Sequence, residues 1–284
     1  MYRLLPFLHS AMHPTRIRFT CLVALVSMGI LGSAKATTVE LTPVADTAIF
    51  SPYSDNNFGT STLETGTNGV GAPGRSLVRF DLTSIPVGAV ITGVELTMTV
   101  VRVPPGDQHA GPIDSDFNVF RMLVPWTEGT GGGNAGSIAQ LGETTWNERG
   151  AGGVAAWGTP GGQIGTDYAE NSSTSAAVGS TTGTLTWGST PDFVADAQFW
   201  LDNPALNFGF ITISDQEGAP GTARRMASRE SAGGSVTPPT LTVTYTIVPE
   251  PASGVLSVVG SLAWGCRRFR GGRKAGSREA SQLK

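Results

Sequence analysis

Val94, Leu96, Met98 and Val100 alternate with Glu95, Thr97, Thr99 and Val101, and near the end Leu241, Val243, Tyr245 and Ile247 alternate with four threonines. A period of two gives a strand one apolar and one mostly polar face, and an apolar sheet face is stable only when a second layer covers it. Shorter strand-like runs recur at 44–50, 77–82, 118–123, 185–187, 208–213 and 226–228, separated by Gly, Pro, Asn and Asp clusters of turn type. The pattern predicts an all-β chain, a β-sandwich of two antiparallel sheets, rather than an α/β sheet. One short helix is expected as an exception. Pro191 opens it, Phe193, Ala197 and Trp200 recur at spacings of four and three, and Asn203-Pro204 closes it. It should lie over one end or edge of the sandwich.

Cys21 and Cys266 both fall in terminal apolar segments, so the body between them has no internal disulfide and must be held by packing, hydrogen bonds or metal ions. The whole chain has a formal charge of −3, but residues 37–248 contain eight arginines, no lysine and twenty carboxylates, a formal charge of −12. An acidic body without lysine repels nucleic acid and anionic lipid. Neutral glycans and divalent cations suit it better, and an anionic glycan would need a local arginine patch or a bridging cation. His109 is the body's single histidine, so Cys/His zinc sites and histidine-dependent triads have no material. The Gly-, Ser- and Thr-rich stretches 129–142 and 150–183 read as long surface loops. Gly131-Gly132-Gly133 lacks the following Lys and Ser/Thr of a phosphate loop.

Two terminal segments carry export signals. Arg16 and Arg18 precede an apolar run at 19–32 and the small-x-small sequence Ala34-Lys35-Ala36, which predicts a signal peptide over 1–36 cut by signal peptidase. At the other end, Pro249-Glu250-Pro251 precedes an apolar run at 252–265 and the basic Cys266-Arg267-Arg268-Phe269-Arg270. Basic residues after an apolar run fix its orientation. The expectation is a transmembrane helix that anchors the chain transiently in the inner membrane, although the run is short against the roughly 20 residues of a full span. The order of tripeptide, apolar run and basic cluster resembles the Pro-Glu-Pro (PEP-CTERM) sorting tail, here 248–284, of Gram-negative bacteria that make exopolysaccharide. The resemblance implies processing by an exosortase-type transpeptidase and a final place on the outer surface or in the extracellular matrix.

Within the body, Ala45-Asp46-Thr47-Ala48-Ile49, Asn56-Asn57-Phe58-Gly59-Thr60, Arg75 to Leu82 and Ile85-Pro86-Val87-Gly88-Ala89 are followed by Trp126-Thr127-Glu128, Thr144-Thr145-Trp146-Asn147, Asn207-Phe208-Gly209-Phe210 and Ala227-Ser228-Arg229-Glu230. Together these resemble the secreted DNRLRE-type domain, a jelly-roll module related to carbohydrate-binding modules, over 37–247. The resemblance implies a jelly-roll sandwich and a place on surface proteins, and it is less specific for ligand. Arg224 and Arg225 stand in a less typical context, and the glycine-rich insertions are longer than the compact pattern.

Flat indoles suit a sandwich core and the C–H face of a sugar alike. Trp126 and Trp146 read as core pillars, whereas Trp157, between Ala156 and Gly158, is a candidate exposed sugar platform, and Arg79 and Arg229 are further candidate carbohydrate-binding residues. Asp46, Asp55 with Asn56 and Asn57, and Asp114 with Asp116 are candidate oxygen ligands for calcium, though none has the spacing of a helix-loop-helix site. Carboxylate pairs such as Glu128 with Glu143 or Glu148 would serve glycoside hydrolysis only if set about 5 to 9 Å apart across a cleft. The expected function is therefore that of an exported, non-catalytic surface or matrix protein that binds or organises exopolysaccharide. The alternatives are a purely structural envelope protein and a polysaccharide-degrading enzyme.

Overall fold

The structure is a computed structural model that describes residues 35–105, 111–231 and 233–247. Its strands run β1 (Ala36–Leu41), β2 (Pro43–Phe50), β3 (Asn56–Asn57), β4 (Leu63–Thr67), β5 (Pro73–Phe80), β6 (Ala89–Arg102) and β7 (Ser115–Arg121). There follow β8 (Ser137–Ile138), β9 (Glu148–Gly150), β10 (Ala155–Ala156), β11 (Thr174–Val178), β12 (Gly183–Trp187) and the helix α1 (Pro191–Asp202). The last three strands are β13 (Phe210–Ser214), β14 (Arg224–Met226) and β15 (Thr240–Ile247).

One layer has the order β1-β15-β6-β14-β4, with β12 also on β6. The other has β5-β13-β7-β11, with β2 on the free side of β5. All pairings between these strands are antiparallel. The expectation of two separate sheets is corrected in one respect. β4 belongs to both layers: Leu63 and Thr65 pair with Met226 and Arg224 of β14, while Gly66 and Thr67 pair with Gly74 and Pro73 of β5. The layers therefore join along one edge as a half-barrel with jelly-roll-like topology. Gly66 makes the corner, at φ +101°, and a Cβ there would sit 2.5 Å from the Thr222 carbonyl oxygen. An L side chain meets both a backbone strain and a clash at that position.

The alternating strands behave as their period requires. Val94, Leu96, Met98 and Val100 of β6 and Leu241, Val243 and Tyr245 of β15 turn into the main core, where they meet Phe80, Phe117, Trp187 and Phe210. The indole Nε1 of Trp187 donates to the Phe117 carbonyl at 2.7 Å, so this fully buried ring also bridges β12 to β7. Helix α1 forms where the sequence predicts it. Thr190 caps it, its Oγ1 accepting from the Phe193 amide at 3.0 Å, and Pro191 fills the first turn. Its buried face carries Phe193, Ala197, Trp200 and Leu201, with Phe193 and Trp200 edge-on to Phe210 at 5.1 and 4.5 Å. Gln198 accepts from the Ile91 amide and donates to the Ala89 carbonyl, which fastens the helix over the start of β6.

Among the described residues no helix is long and apolar enough to cross a membrane. This corrects the expectation of a transmembrane helix. The apolar runs at 19–32 and 252–265 that raised it, the motif Pro249, Glu250 and Pro251, and His109 lie outside the described residues.

Candidate functional site

Two charged constellations stand out, one assembled from loop and turn residues around a strand and the other built by β-sheet register. The first gathers around Asp46 of β2. β2 pairs with β5 on one side only, so the Asp46 amide looks outward and donates to Glu128 Oε1 at 2.8 Å. Asp46 Oδ2 in turn accepts from the Arg229 amide at 2.8 Å, and the Arg229 guanidinium grips Glu128 through Nε and Nη2 at 2.5 and 2.9 Å. Glu230 stands 3.2 Å from the same guanidinium. One carboxylate oxygen each from Asp46, Glu128 and Glu230 lies within 4.8 Å of the others. Asp46 is 0 % exposed, and its Oδ1 is buried without a hydrogen-bond partner. Burial, followed by the neighbouring Glu230 and Glu128 charges, pushes its carboxyl up to about 8 against the pull of the Arg229 amide and charge.

Glu128 is held in place by Asn57. The Asn57 side-chain amide donates to the carbonyls of Glu128 and Thr144 at 2.7 and 2.9 Å, while its Oδ1 accepts from the amides of Gly59 and Gly131. The chain passes so close that a Cβ on Gly131 would lie 2.1 Å from the Asn57 carbonyl oxygen. The glycine-rich stretch after Glu128 is thus a fitted loop rather than loose surface.

The second constellation lies where β6, β14 and β4 run side by side. Arg102 faces Arg225 across the ladder, and Arg225 faces Glu64. The β6–β14 register slips between Arg225 and Met226, which faces Val100, so Val101 is the extra residue of a bulge that brings Arg102 level with Arg225. Arg225 donates to Glu64 at 3.0 Å and to Asn134 Oδ1 at 2.9 Å. Burial raises the Glu64 carboxyl, with Arg225 and then Arg102 opposing it. Arg102 is exposed and has no ion-pair partner among the described residues. With Asn68, Pro104 and Pro105 these side chains line an open groove of about 150 Å³.

The other residues expected from sequence fall elsewhere. Trp157 is 6 % exposed and donates its indole N–H to the Thr145 carbonyl at 2.9 Å, inside a second core cluster with Trp126, Met122 and Tyr168. The expectation of an exposed platform is corrected: the ring pins its loop to the domain. Arg79 lies over the Trp126 ring at 5.7 Å. Asp55 accepts from the Asn147 side-chain amide, Asp114 accepts from the Ser180 hydroxyl, and Asp116 is an exposed residue of β7. Asp46 is thus the one calcium candidate that joins a three-carboxylate cluster among the described residues, and its companions are Glu128 and Glu230 rather than Asp55 or Asn57. Both oxygens of Glu143 are occupied, by the Thr130 amide and hydroxyl and by the Gln140 amide.

A further concavity of about 260 Å³ beside α1 is lined by Leu82, Ile85, Val87, Trp200, Asp81 and Asn207 among others. Its polar side chains are already committed, Asp81 to Thr83 and Asn207 to the Phe80 carbonyl and Gly209 amide. Arg102 and Arg225 were not singled out together by sequence reasoning. They are 123 positions apart, and only the bulged register joins them. Compared with known proteins, the chain matches no family model and no curated protein sequence.

Proposed function

We propose that the chain is an exported, non-catalytic protein of the cell surface or extracellular matrix that binds an acidic exopolysaccharide through the Arg102–Arg225 groove. The observation that carries this reading is a pair of cross-strand guanidinium groups, one of them exposed without an ion-pair partner among the described residues, in a concave site on an otherwise acidic body. A planar guanidinium meets a carboxylate or sulfate through two parallel hydrogen bonds. The groove's volume is well below the roughly 300–1,000 Å³ of a pocket that encloses a small molecule. It suits one charged ring of a polymer lying across the surface. Proline and asparagine side chains at its edge offer apolar contact and hydrogen bonding to such a ring.

Export is supported by the leader and tail motifs and by the absence of cysteine from the body. A non-catalytic role is supported by the way Glu143 and Glu128 spend their oxygens on loop amides and on Arg229. The test is retention of the purified chain on immobilised polymers. A polyuronate or sulfated glycan should retain it at low salt and release it as salt rises, and a neutral glucan should not. Equal retention by the neutral polymer, or none by any acidic one, would refute the reading.

A further inference from the structure

We propose that Asp46, Glu128 and Glu230 form a divalent-cation site, selective for calcium, in which the ion takes over the Glu128 carboxylate now gripped by Arg229. Three observations support it independently of the glycan groove. First, the three donor oxygens lie within 4.8 Å of one another, and calcium–oxygen bonds of 2.3–2.6 Å allow two ligands of one ion to stand up to about 5 Å apart. Second, Asp46, a member of the cluster, has its Oδ1 fully buried with no hydrogen-bond partner, whereas Oδ2 is satisfied by the Arg229 amide. A buried carboxylate oxygen left bare is costly, and the great majority of such atoms in native proteins have a partner. Third, three carboxylates face one guanidinium. With all three ionised, as a bound cation would hold them, the imbalance is two negative charges, the charge of one divalent ion.

The ligands come from three distant parts of the chain: strand β2, the segment after Trp126, and the turn at Arg229–Ser231. An ion bound to all three would staple them, a function that a disulfide cannot serve in a body without cysteine. All-oxygen carboxylate ligation is hard-ion chemistry and disfavours zinc or copper. Magnesium demands tighter octahedral geometry, which side chains from three unconnected segments match less easily than the flexible sphere of calcium.

The experiment is thermal unfolding and calorimetric titration of the purified full chain after chelation and dialysis, with CaCl2, MgCl2 or neither. Extracellular calcium modules bind with dissociation constants of about 10⁻⁴–10⁻³ M. At about 10 mM calcium the midpoint should therefore rise by roughly 3–10 °C, reversed by EDTA. Magnesium should give a clearly smaller shift. Asp46→Asn and Glu230→Gln should each abolish most of the calcium shift, and because Glu230 is exposed, Glu230→Gln gives a result even if Asp46→Asn fails to fold. Arg229→Gln should tighten calcium binding by removing the competitor for Glu128. No heat and no shift with calcium, an equal shift with magnesium, a full shift in Glu230→Gln, or weaker binding in Arg229→Gln would each overturn the proposal.

Discussion

The two charged constellations use the same parts in opposite proportion. Around Asp46, three carboxylates share one guanidinium, and the atom left without a partner is a buried oxygen. In the groove, two guanidiniums share one carboxylate, and the exposed Arg102 has no ion-pair partner among the described residues. One site lacks positive charge and the other has it in excess, although the constellations are linked through the same stretches of chain. Arg225 stands four residues before Arg229, and the loop that presents Glu128 also presents Asn134 to Arg225. What differs is where the unmatched atom lies: Asp46 Oδ1 is buried, although Arg229 and Glu230 beside it reach the surface, whereas Arg102 is exposed. A charge buried without a partner favours an ion or a proton, whereas a charge at an open surface can be held for a partner.

The comparison is most severely strained by removing what the two sites share. Asn57→Ala deletes four hydrogen bonds, two to the loop after Glu128 (the Glu128 carbonyl and the Gly131 amide) and two to the flanking Thr144 carbonyl and Gly59 amide, and each buried group left bare costs about 1–3 kcal/mol. We expect a loss of at least about 3 kcal/mol in chemical denaturation, together with weakened acidic-glycan retention. A variant that lost stability but kept full retention would show the groove to be independent of the loop.

The next effect is a pH dependence specific to Asp46. Its folded carboxyl, at about 8, lies above the ordinary value of 3.8, so the fold favours the protonated form. In cation-free protein this contribution to stability is complete below about pH 4, declines as pH rises through 8 and is flat beyond. Asp46→Asn should remove that decline. Denaturation midpoints with chelator between pH 5 and 9 check it, and an unchanged slope in the variant would assign the titration to another group.

Smaller is the effect of Glu64→Gln, which releases Arg225 from its ion pair. Acidic-glycan affinity should rise by about 1 kcal/mol or less, the scale of a partly exposed pair, and binding assays at low salt should show it best. A fall in affinity would mean that Glu64 orients Arg225 rather than competing for it.

Much of the scaffold could be read from the chain because its signals are local. β6, β15 and α1 follow from the spacing of their own apolar residues. β1, β4 and β11 do not: they are short and rich in small or hydroxyl-bearing residues, and partners distant in sequence stabilise them. Trp157 misled for the same reason. Its neighbours are small and suggest a bare loop, yet Asp167 accepts from the amides of Gly158 and Gln163 and folds that loop onto the second core cluster. Asp46 was legible as an acidic residue in a recurring motif, but Glu128 and Glu230 reach it only through the third dimension. The Arg102–Arg225 pair depends on a one-residue bulge, which no local pattern announces.

The account turns on whether charge in the groove holds a glycan. Isothermal titration of a uronate oligosaccharide into the wild-type chain and into the Arg102→Gln/Arg225→Gln double variant measures this directly. Each charge-assisted hydrogen bond is worth about 1.5–3 kcal/mol, so the double variant should bind at least about tenfold more weakly. Equal affinity in the two proteins, or no heat from the wild type at low salt, would contradict the account.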